Sequence, residues 1–424
     1  LAMLLAIFFL VVPRFTRIQA LTDNLNRVTR ENISGIRVVR AYNAEEYQEK
    51  KFDRANEELT SNNLFAQRAM AVMQPGMTFI MSALTLAIYW VGVFMIDTAE
   101  LTDRLNIFSE MVVFSSYAMQ VIMAFMMMTM TLLILPRAAV SAKRILEVLH
   151  TSPRMQDGTE GHQEQGIKGQ VEFREVSFRY PEAEGEILHN ISFAANAGET
   201  VAIIGATGSG KSTILNLIPR FYDVSRGEVL VDGVNVKNYQ QSALREKIGY
   251  VSQRSVLFSG SVRSNVTLGS DASDEASLRD ALAVSMAEEF VSKMEGTVDA
   301  PIAQDGTNVS GGQRQRLSIA RAIYRKPEIY LFDDSFSALD YRTDRALRKA
   351  LREKTKGATL LIVAQRIGTI MDADRIIVLD EGKIAGQGTH TELLSSCKVY
   401  REIAESQLSG DELYGIKRDG KEGQ

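Results

Sequence analysis

The 424-residue chain has a single cysteine, Cys397. One thiol excludes a disulfide framework and a thiolate zinc site, leaving Cys397 as a packed or idle residue near the C-terminus. A surplus of either charge is missing too: 48 Lys and Arg face 52 Asp and Glu. That balance excludes a dedicated nucleic-acid binder, whose basic residues would be in clustered excess. Two stretches lack charge altogether. Residues 69–96 and 111–136 hold no Asp, Glu, Lys, Arg or His, giving uncharged runs of 28 and 26 residues. At about 1.5 Å per helical residue each exceeds the ~30 Å hydrocarbon core, so both read as membrane spans and a soluble protein is excluded.

The apolar run from Leu1 to Val12, closed by Pro13, has no positive residue before it, and Arg14 and Arg17 follow it. It reads as the tail of a further span, about 1–13, rather than as a signal-peptide core, and the chain as incomplete at its N-terminus. Ten Lys and Arg lie in 14–68, whereas the connection 97–110 holds only Arg104. Positive-inside bias puts 14–68 and everything after 137 in the cytoplasm and 97–110 outside. The charged flanks look like spans continuing as helices beyond the bilayer. Twelve of the 17 methionines fall between Met70 and Met130. They would suit either a pocket for varied greasy ligands or ordinary helix packing.

Residues 151–168, rich in Gly, Gln and acids, form a linker between a membrane domain (1–150) and a second domain (169–408), followed by a tail (409–424). In the second domain β-branched runs (Gly169–Phe173, Thr200–Ile204, Ile329–Phe332, Leu360–Val363) alternate with helical stretches such as 212–218 and 313–326. This is the pattern of an α/β domain.

Gly205-Ala206-Thr207-Gly208-Ser209-Gly210-Lys211-Ser212 matches the phosphate-loop pattern, after a strand and before a helix opening at Thr213. The glycines let backbone N–H groups curl around phosphate oxygens. Lys211 supplies a point charge, and the Ser212 hydroxyl can ligate Mg²⁺. Asp333 and Asp334 end a buried strand, as a metal-holding carboxylate pair or as a helix N-cap. Paired with the phosphate loop, the metal reading is preferred. Ser310-Gly311-Gly312-Gln313 opens a helix and offers a second anion site, or a simple turn. Two phosphate-binding elements in one chain suggest two chains clamping ATP between them.

These motifs together, with Val309 before Ser310 and with Ser337-Ala338-Leu339-Asp340, resemble the ATPase domain of ABC transporters. With a membrane domain fused ahead of it, the chain resembles a multidrug-type ABC exporter half-transporter. The resemblance implies an α-helical transmembrane domain, of which the last three of six spans are present, and an α/β P-loop ATPase domain with a helical subdomain. It implies ATP and Mg²⁺ as cofactors. Tyr180 would stack on adenine, Gln253 would sense Mg²⁺ and the membrane domain, Ser310 to Gln313 would contact ATP held by the other half, and Asp340 would cross the dimer interface. The segment from Gly35 to Tyr47 resembles a coupling loop that pushes on the partner's ATPase domain.

The departures from the family pattern concern hydrolysis. Active members carry Asp-Glu at the strand end; Asp334 replaces that Glu and is one methylene shorter. The family's switch histidine follows a later strand, where this chain has Gln365, an amide without an imidazole's proton chemistry. None of the four histidines (150, 162, 189, 390) sits near that strand end. Before the signature, where the family usually has an acidic Gly-Glu-x-Gly, the chain reads Ala303-Gln304-Asp305-Gly306. The expectation is a degenerate site in a heterodimer with a second half-transporter, which exports lipophilic or amphipathic compounds across a bacterial plasma membrane with its ATPase domain cytoplasmic. Membrane lipid is a further partner and nucleic acid is not. The alternative is a nucleotide-gated regulatory membrane protein with little transport.

Overall fold

The computed structural model describes residues 2–100, 102–153, 155–161, 168–270 and 274–408. The expected tail 409–424 and residues 162–167 of the linker lie outside them. The chain divides into two compact units between Ser152 and Pro153.

The first unit is helical: α1 (Ala2–Ser34), the short α2 (Ile36–Ala41), α3 (Glu45–Ala71), α4 (Met73–Thr98) and α5 (Arg104–Leu149). Among the described residues, two helical stretches are long and apolar enough to cross a membrane, Glu45–Thr98 and Arg104–Met128. Helix α5 runs for 46 residues, about 70 Å, more than twice a hydrocarbon core. Pro13 does not end α1, which continues to Ser34. A proline removes one bond to the preceding turn, a gap that a long helix tolerates when its other turns are intact. Helices α1 and α3 pair closely because Ala66, 1% exposed, lets Ile18, Met70 and Met73 gather round it. The Arg14 guanidinium donates to Asn62 Oδ1 (2.9 Å) and lies over the Phe65 ring, and Lys51 pairs with Glu31 at 2.7 Å.

The second unit contains two larger sheets. In the antiparallel one the order is β2-β1-β4-β5, with β1 (Val171–Phe178), β2 (Leu188–Ala195), β4 (Arg226–Val231) and β5 (Val234–Asn235). In the other the order is β12-β11-β3-β10-β9-β6. Its members are β3 (Thr200–Gly205), β6 (Ile248–Val251), β9 (Ile329–Asp333), β10 (Thr359–Val363), β11 (Arg375–Asp380) and β12 (Lys383–Gly388). All pairings there are parallel except that of the edge strand β12. A short ribbon pairs β7 (Gly260–Ser261) with β8 (Pro301–Ile302).

The pleat of β3 builds both cores. Val201 and Ile203 pack into one with β1, β2, β4 and α6 (Lys211–Leu217), while Ala202 and Ile204 pack into the other. The second core takes up the helical region: α8 (Val262–Val266), α9 (Glu275–Val284), α10 (Glu288–Val291), α11 (Gly311–Tyr324) and α12 (Tyr341–Lys354). It also takes in α13 (Ile367–Ile370), α14 (His390–Ser396) and α15 (Lys398–Gln407). A strand buried on both faces has no polar alternation, and β9 and β10 are buried throughout. The remaining short helix, α7 (Gln241–Glu246), leads into β6.

One buried ionic cluster ties the two sheets together. Asp232, after β4, accepts from Gly169 N (2.7 Å), Gln170 N (2.9 Å) and Lys247 Nζ (2.8 Å), and Lys247 also meets Glu328 at 2.8 Å. The Asp232 side chain is 3% exposed. Removing it strands two backbone N–H groups in the interior and takes from the Lys247 ammonium one of its two carboxylates. Asp232→Ala is therefore expected to destabilise the fold by about 3–5 kcal/mol, with a much smaller loss for Glu328→Gln, as thermal unfolding of the intact chain in detergent would register.

Candidate functional site

In a parallel sheet the carboxyl ends of the strands lie on one edge, where ligands bind. Register puts Ile203 of β3, Val363 of β10 and Asp333 of β9 side by side, with Val251 of β6 opposite Phe332. Residues just beyond these ends therefore converge: the phosphate loop after β3, Asp333 and Asp334 at β9, Gln365 after β10 and Gln253 after β6.

The loop conformation follows from its glycines. A Cβ at Gly205 would collide with the Leu379 carbonyl of β11, so the strand can turn there only without a side chain. Gly210 precedes α6 at φ +97°, in the left-handed region, against Leu188. Lys211, 8% exposed, folds back to donate to the carbonyls of Gly205 (2.9 Å) and Ala206 (2.7 Å). The Ser212 hydroxyl donates to Asp333 Oδ1 at 2.8 Å. Asp334 Oδ2 accepts from Gln365 Nε2 at 2.9 Å and more weakly from Gln253 Nε2 at 3.4 Å. Asp334 has φ +47°, and its N–H donates to the Val363 carbonyl. The strained residue is thus held by the neighbouring strand.

Burial dominates the electrostatics. It pulls the Lys211 pKa down, opposed by Asp334 and Asp333. It raises the Asp333 pKa against the Ser212 hydrogen bond, with Asp334 adding to the rise. Asp334 is also raised by burial, against hydrogen bonds from Ser337 and Gln253 and the charges of Lys211 and Arg366. Two crowded carboxylates in a dry site are a place for a hard cation.

Of the other predicted residues, Tyr180 and Thr213 share a hydrogen bond at 3.2 Å, and the Tyr180 ring stands edge-on to Phe178 and Tyr222. Ser310 to Gln313 lie at the start of α11 as a reciprocal cap. Ser310 Oγ accepts from Gln313 N (3.3 Å), and Gln313 Oε1 accepts from Ser310 N (2.9 Å). Gly311 and Gly312 open that helix, and a Cβ on Gly312 would press on the Ala338 carbonyl. Among the described residues, no hydrogen bond joins this element to the phosphate loop. Asp340 caps α12 through Thr343 N.

Two contributors, Ser335 and Tyr250, escaped the sequence reading, and Ser337, named there within the motif ending at Asp340, has a contact it did not assign. Ser337 Oγ donates to the Asp334 carbonyl at 2.9 Å, and buried Ser335 donates to the Val251 carbonyl at 3.0 Å. The Tyr250 hydroxyl, pushed up to about 12 by burial and then by Asp333, donates to Asn216. Only the proximity of the two serines to Asp333 and Asp334 in the chain could have pointed to them.

The residues present fit a magnesium-bound triphosphate. Ser209 Oγ, inside the loop, is buried with no hydrogen-bond partner among the described residues, a hydroxyl suited to a phosphate oxygen. Ser212 and Asp333 offer hard oxygen ligands, and a Mg²⁺ site completes itself with water and phosphate. Accordingly, no cluster of three or more His, Cys, Asp or Glu appears among the described residues.

Comparison with known proteins bears on both units. Residues 188–337 match the ABC transporter family and residues 10–125 the ABC transporter transmembrane region. A Mycobacterium bovis protein described as an ABC transporter ATP-binding protein is 44% identical over 410 residues, 96% of this chain and 69% of that protein. An ATP-dependent lipid A-core flippase of Haemophilus influenzae is 33% identical over 416 residues, 96% of this chain and 69% of the flippase. The structure of a bacterial Atm1-family ABC exporter with ATP bound superposes with a TM-score of 0.81 at 27% identity, covering 96% of this chain and 72% of that one.

The raised carboxylate pKa values carry a signed prediction. A carboxylate whose folded pKa is raised contributes stability that is complete below its unfolded value and is lost as pH climbs through the folded value. Asp333→Asn should therefore flatten that fall and leave the nucleotide-free Tm at neutral pH equal or higher. It should at the same time abolish the extra thermal stabilisation that Mg²⁺ gives over ATP in EDTA. Thermal scans across pH 4–8 with and without Mg²⁺ measure both.

Proposed function

Because the chain belongs to the ABC transporter family, as the ATP-binding and membrane subunit of an exporter, we propose that it is the slow-hydrolysing half of a two-subunit exporter of lipophilic or amphipathic compounds. The observation that carries the reading is the Gln365–Asp334 hydrogen bond of 2.9 Å, at the two positions where the family resemblance implies His and Glu. An aspartate there withdraws the carboxylate by about 1 Å, enough to cost on the order of 10²-fold when geometry is strict. A glutamine amide can orient but cannot exchange a proton at neutral pH. The flippases and the Atm1-family exporter among its relatives favour transport over the regulatory alternative.

In this reading Lys211 and Ser209 hold the phosphates, Tyr180 provides the ring against which adenine stacks, and Ser212, Asp333 and Gln253 hold Mg²⁺. Mg²⁺ held by these residues would supply charge neutralisation for the phosphates. Asp334 and Gln365 face the γ-phosphate and orient more than they activate. Ser310 to Gln313 serve the ATP of a partner half-transporter that brings its own Glu and His. Helix α2 and its flanks expose Val38, Tyr42 and Tyr47, the last two 81% and 68% exposed. These apolar side chains support a role of 35–47 as a contact on the partner's ATPase domain. The lipid substrates of the flippases and the methionine-rich helices α4 and α5 support an amphipathic, lipid-like cargo moved out of a bacterial plasma membrane.

Two measurements test the proposal. Asp334→Glu combined with Gln365→His should raise turnover at this site about tenfold or more, whereas Lys211→Ala should weaken ATP binding there by about tenfold or more; no gain in the first would remove the degenerate-site reading. Purification of the tagged protein from its own membrane should bring down a stoichiometric second half-transporter bearing the Glu and His. Recovery of a homodimer would overturn the two-subunit reading.

A further inference from the structure

Helix α13 begins directly after Gln365 and Arg366, yet its N-cap residue Arg366 supplies no side-chain cap. The missing acceptor comes from the end of α15. Gln407 Oε1 accepts from Ile367 N at 2.9 Å, while Gln407 Nε2 donates to the Gln365 carbonyl at 2.8 Å. One planar amide thus brackets Gln365–Ile367 as a neighbouring peptide group in a sheet would. Helix α15 is itself fixed. Tyr400 and Ala404, on the same face as Gln407 at helical spacing, are fully buried, and the Tyr400 hydroxyl meets His390 Nδ1 at 2.7 Å. The opposite side of the bracketed loop faces the site, where Gln365 Nε2 reaches Asp334.

We propose that Gln407 is a positioning residue for ATP cleavage: it sets the backbone of Gln365 and so the place where the Gln365 amide meets Asp334. The inference rests on the reading of Gln365 given above. Gln407 is exposed, so its two bonds compete with water and contribute little to stability. They fix direction instead. A backbone free to shift by a few tenths of an ångström moves the end of a three-torsion side chain further still, and cleavage is sensitive to displacement on that scale.

A double-mutant cycle tests it in the purified complex containing this chain, with cleavage of a photoreactive ATP followed on this chain's own band. Gln407→Leu is expected to slow cleavage about fivefold, with ATP affinity within about twofold and Tm nearly unchanged. In the Gln365→Ala background it should add nothing, because the effect passes through Gln365. Gln407→Glu, which keeps the acceptor for Ile367 N–H but offers no donor to the Gln365 carbonyl, should fall between wild type and Gln407→Leu. Wild-type cleavage in Gln407→Leu, a loss that adds to that of Gln365→Ala, or a fall in Tm or affinity that accounts for the slower rate would each overturn the positioning role. If Gln365→Ala is itself neutral, the reading of the site falls and takes this inference with it. If Gln365→Ala is costly and Gln407→Leu is neutral or additive, only the positioning role is lost.

Discussion

Two adjacent carboxylates and an ammonium, all nearly out of water, stand at the ends of β3 and β9, and the site is arranged around keeping them there. Asp333, Asp334 and Lys211 could each relax by moving to solvent, and each is prevented. Lys211 is tied to two carbonyls of its own loop, Asp333 to Ser212, and Asp334 to two amides brought by β6 and β10. The free energy for this crowding comes from the apolar strands behind it, buried on both faces of a six-stranded sheet. A ligand that carries both negative oxygens and a divalent cation satisfies all three charges together, which links the stability of the unit to its chemistry.

How much of this the sequence disclosed depends on how local each determinant is. The phosphate loop is legible because its spacing, its preceding strand and its following helix all lie within about twenty residues. The end of β9 is legible because an apolar run stops at two acids. Gln253, Gln365 and Tyr180 carry no local signature of chemistry and were reached only through resemblance to a family. The serines behind Asp334, the Tyr222 ring beside Tyr180 and the amide of Gln407 are set by tertiary packing, which no spacing rule encodes. Pro13 closes the apolar run but not the helix, whose turns continue through the charged flank to Ser34. The signature segment reads as an anion site or a simple turn from its glycines and helix start. Its reciprocal Ser310–Gln313 cap also fits the ordinary S/T-x-x-E/Q pattern.

In the first unit, absence of charge was the strongest signal, and the helices extend far past the uncharged runs. Glu45–Thr98 is one helical stretch of 54 residues that joins a polar and an apolar half. Its polar half is fastened to α1 by the Arg14–Asn62 and Lys51–Glu31 contacts, so α1 and α3 behave as a braced pair rather than two independent levers.

The order β12-β11-β3-β10-β9-β6 has a consequence for how the molecule is made. Strand β3, which carries the phosphate loop, lies between β10 and β11, whose residues follow it by more than 150 positions; Thr200 N donates to Asp374 across 174 residues. During synthesis β3 leaves the ribosome long before either neighbour exists, with its ladder groups unpaired on both sides. The antiparallel sheet of β1, β2, β4 and β5 can close early, since its pairings are local. The nucleotide site can close only when nearly the whole chain is out. The most adhesive strand of the unit is thus the one that waits longest, an interval in which chaperones or a neighbouring nascent chain would find it open.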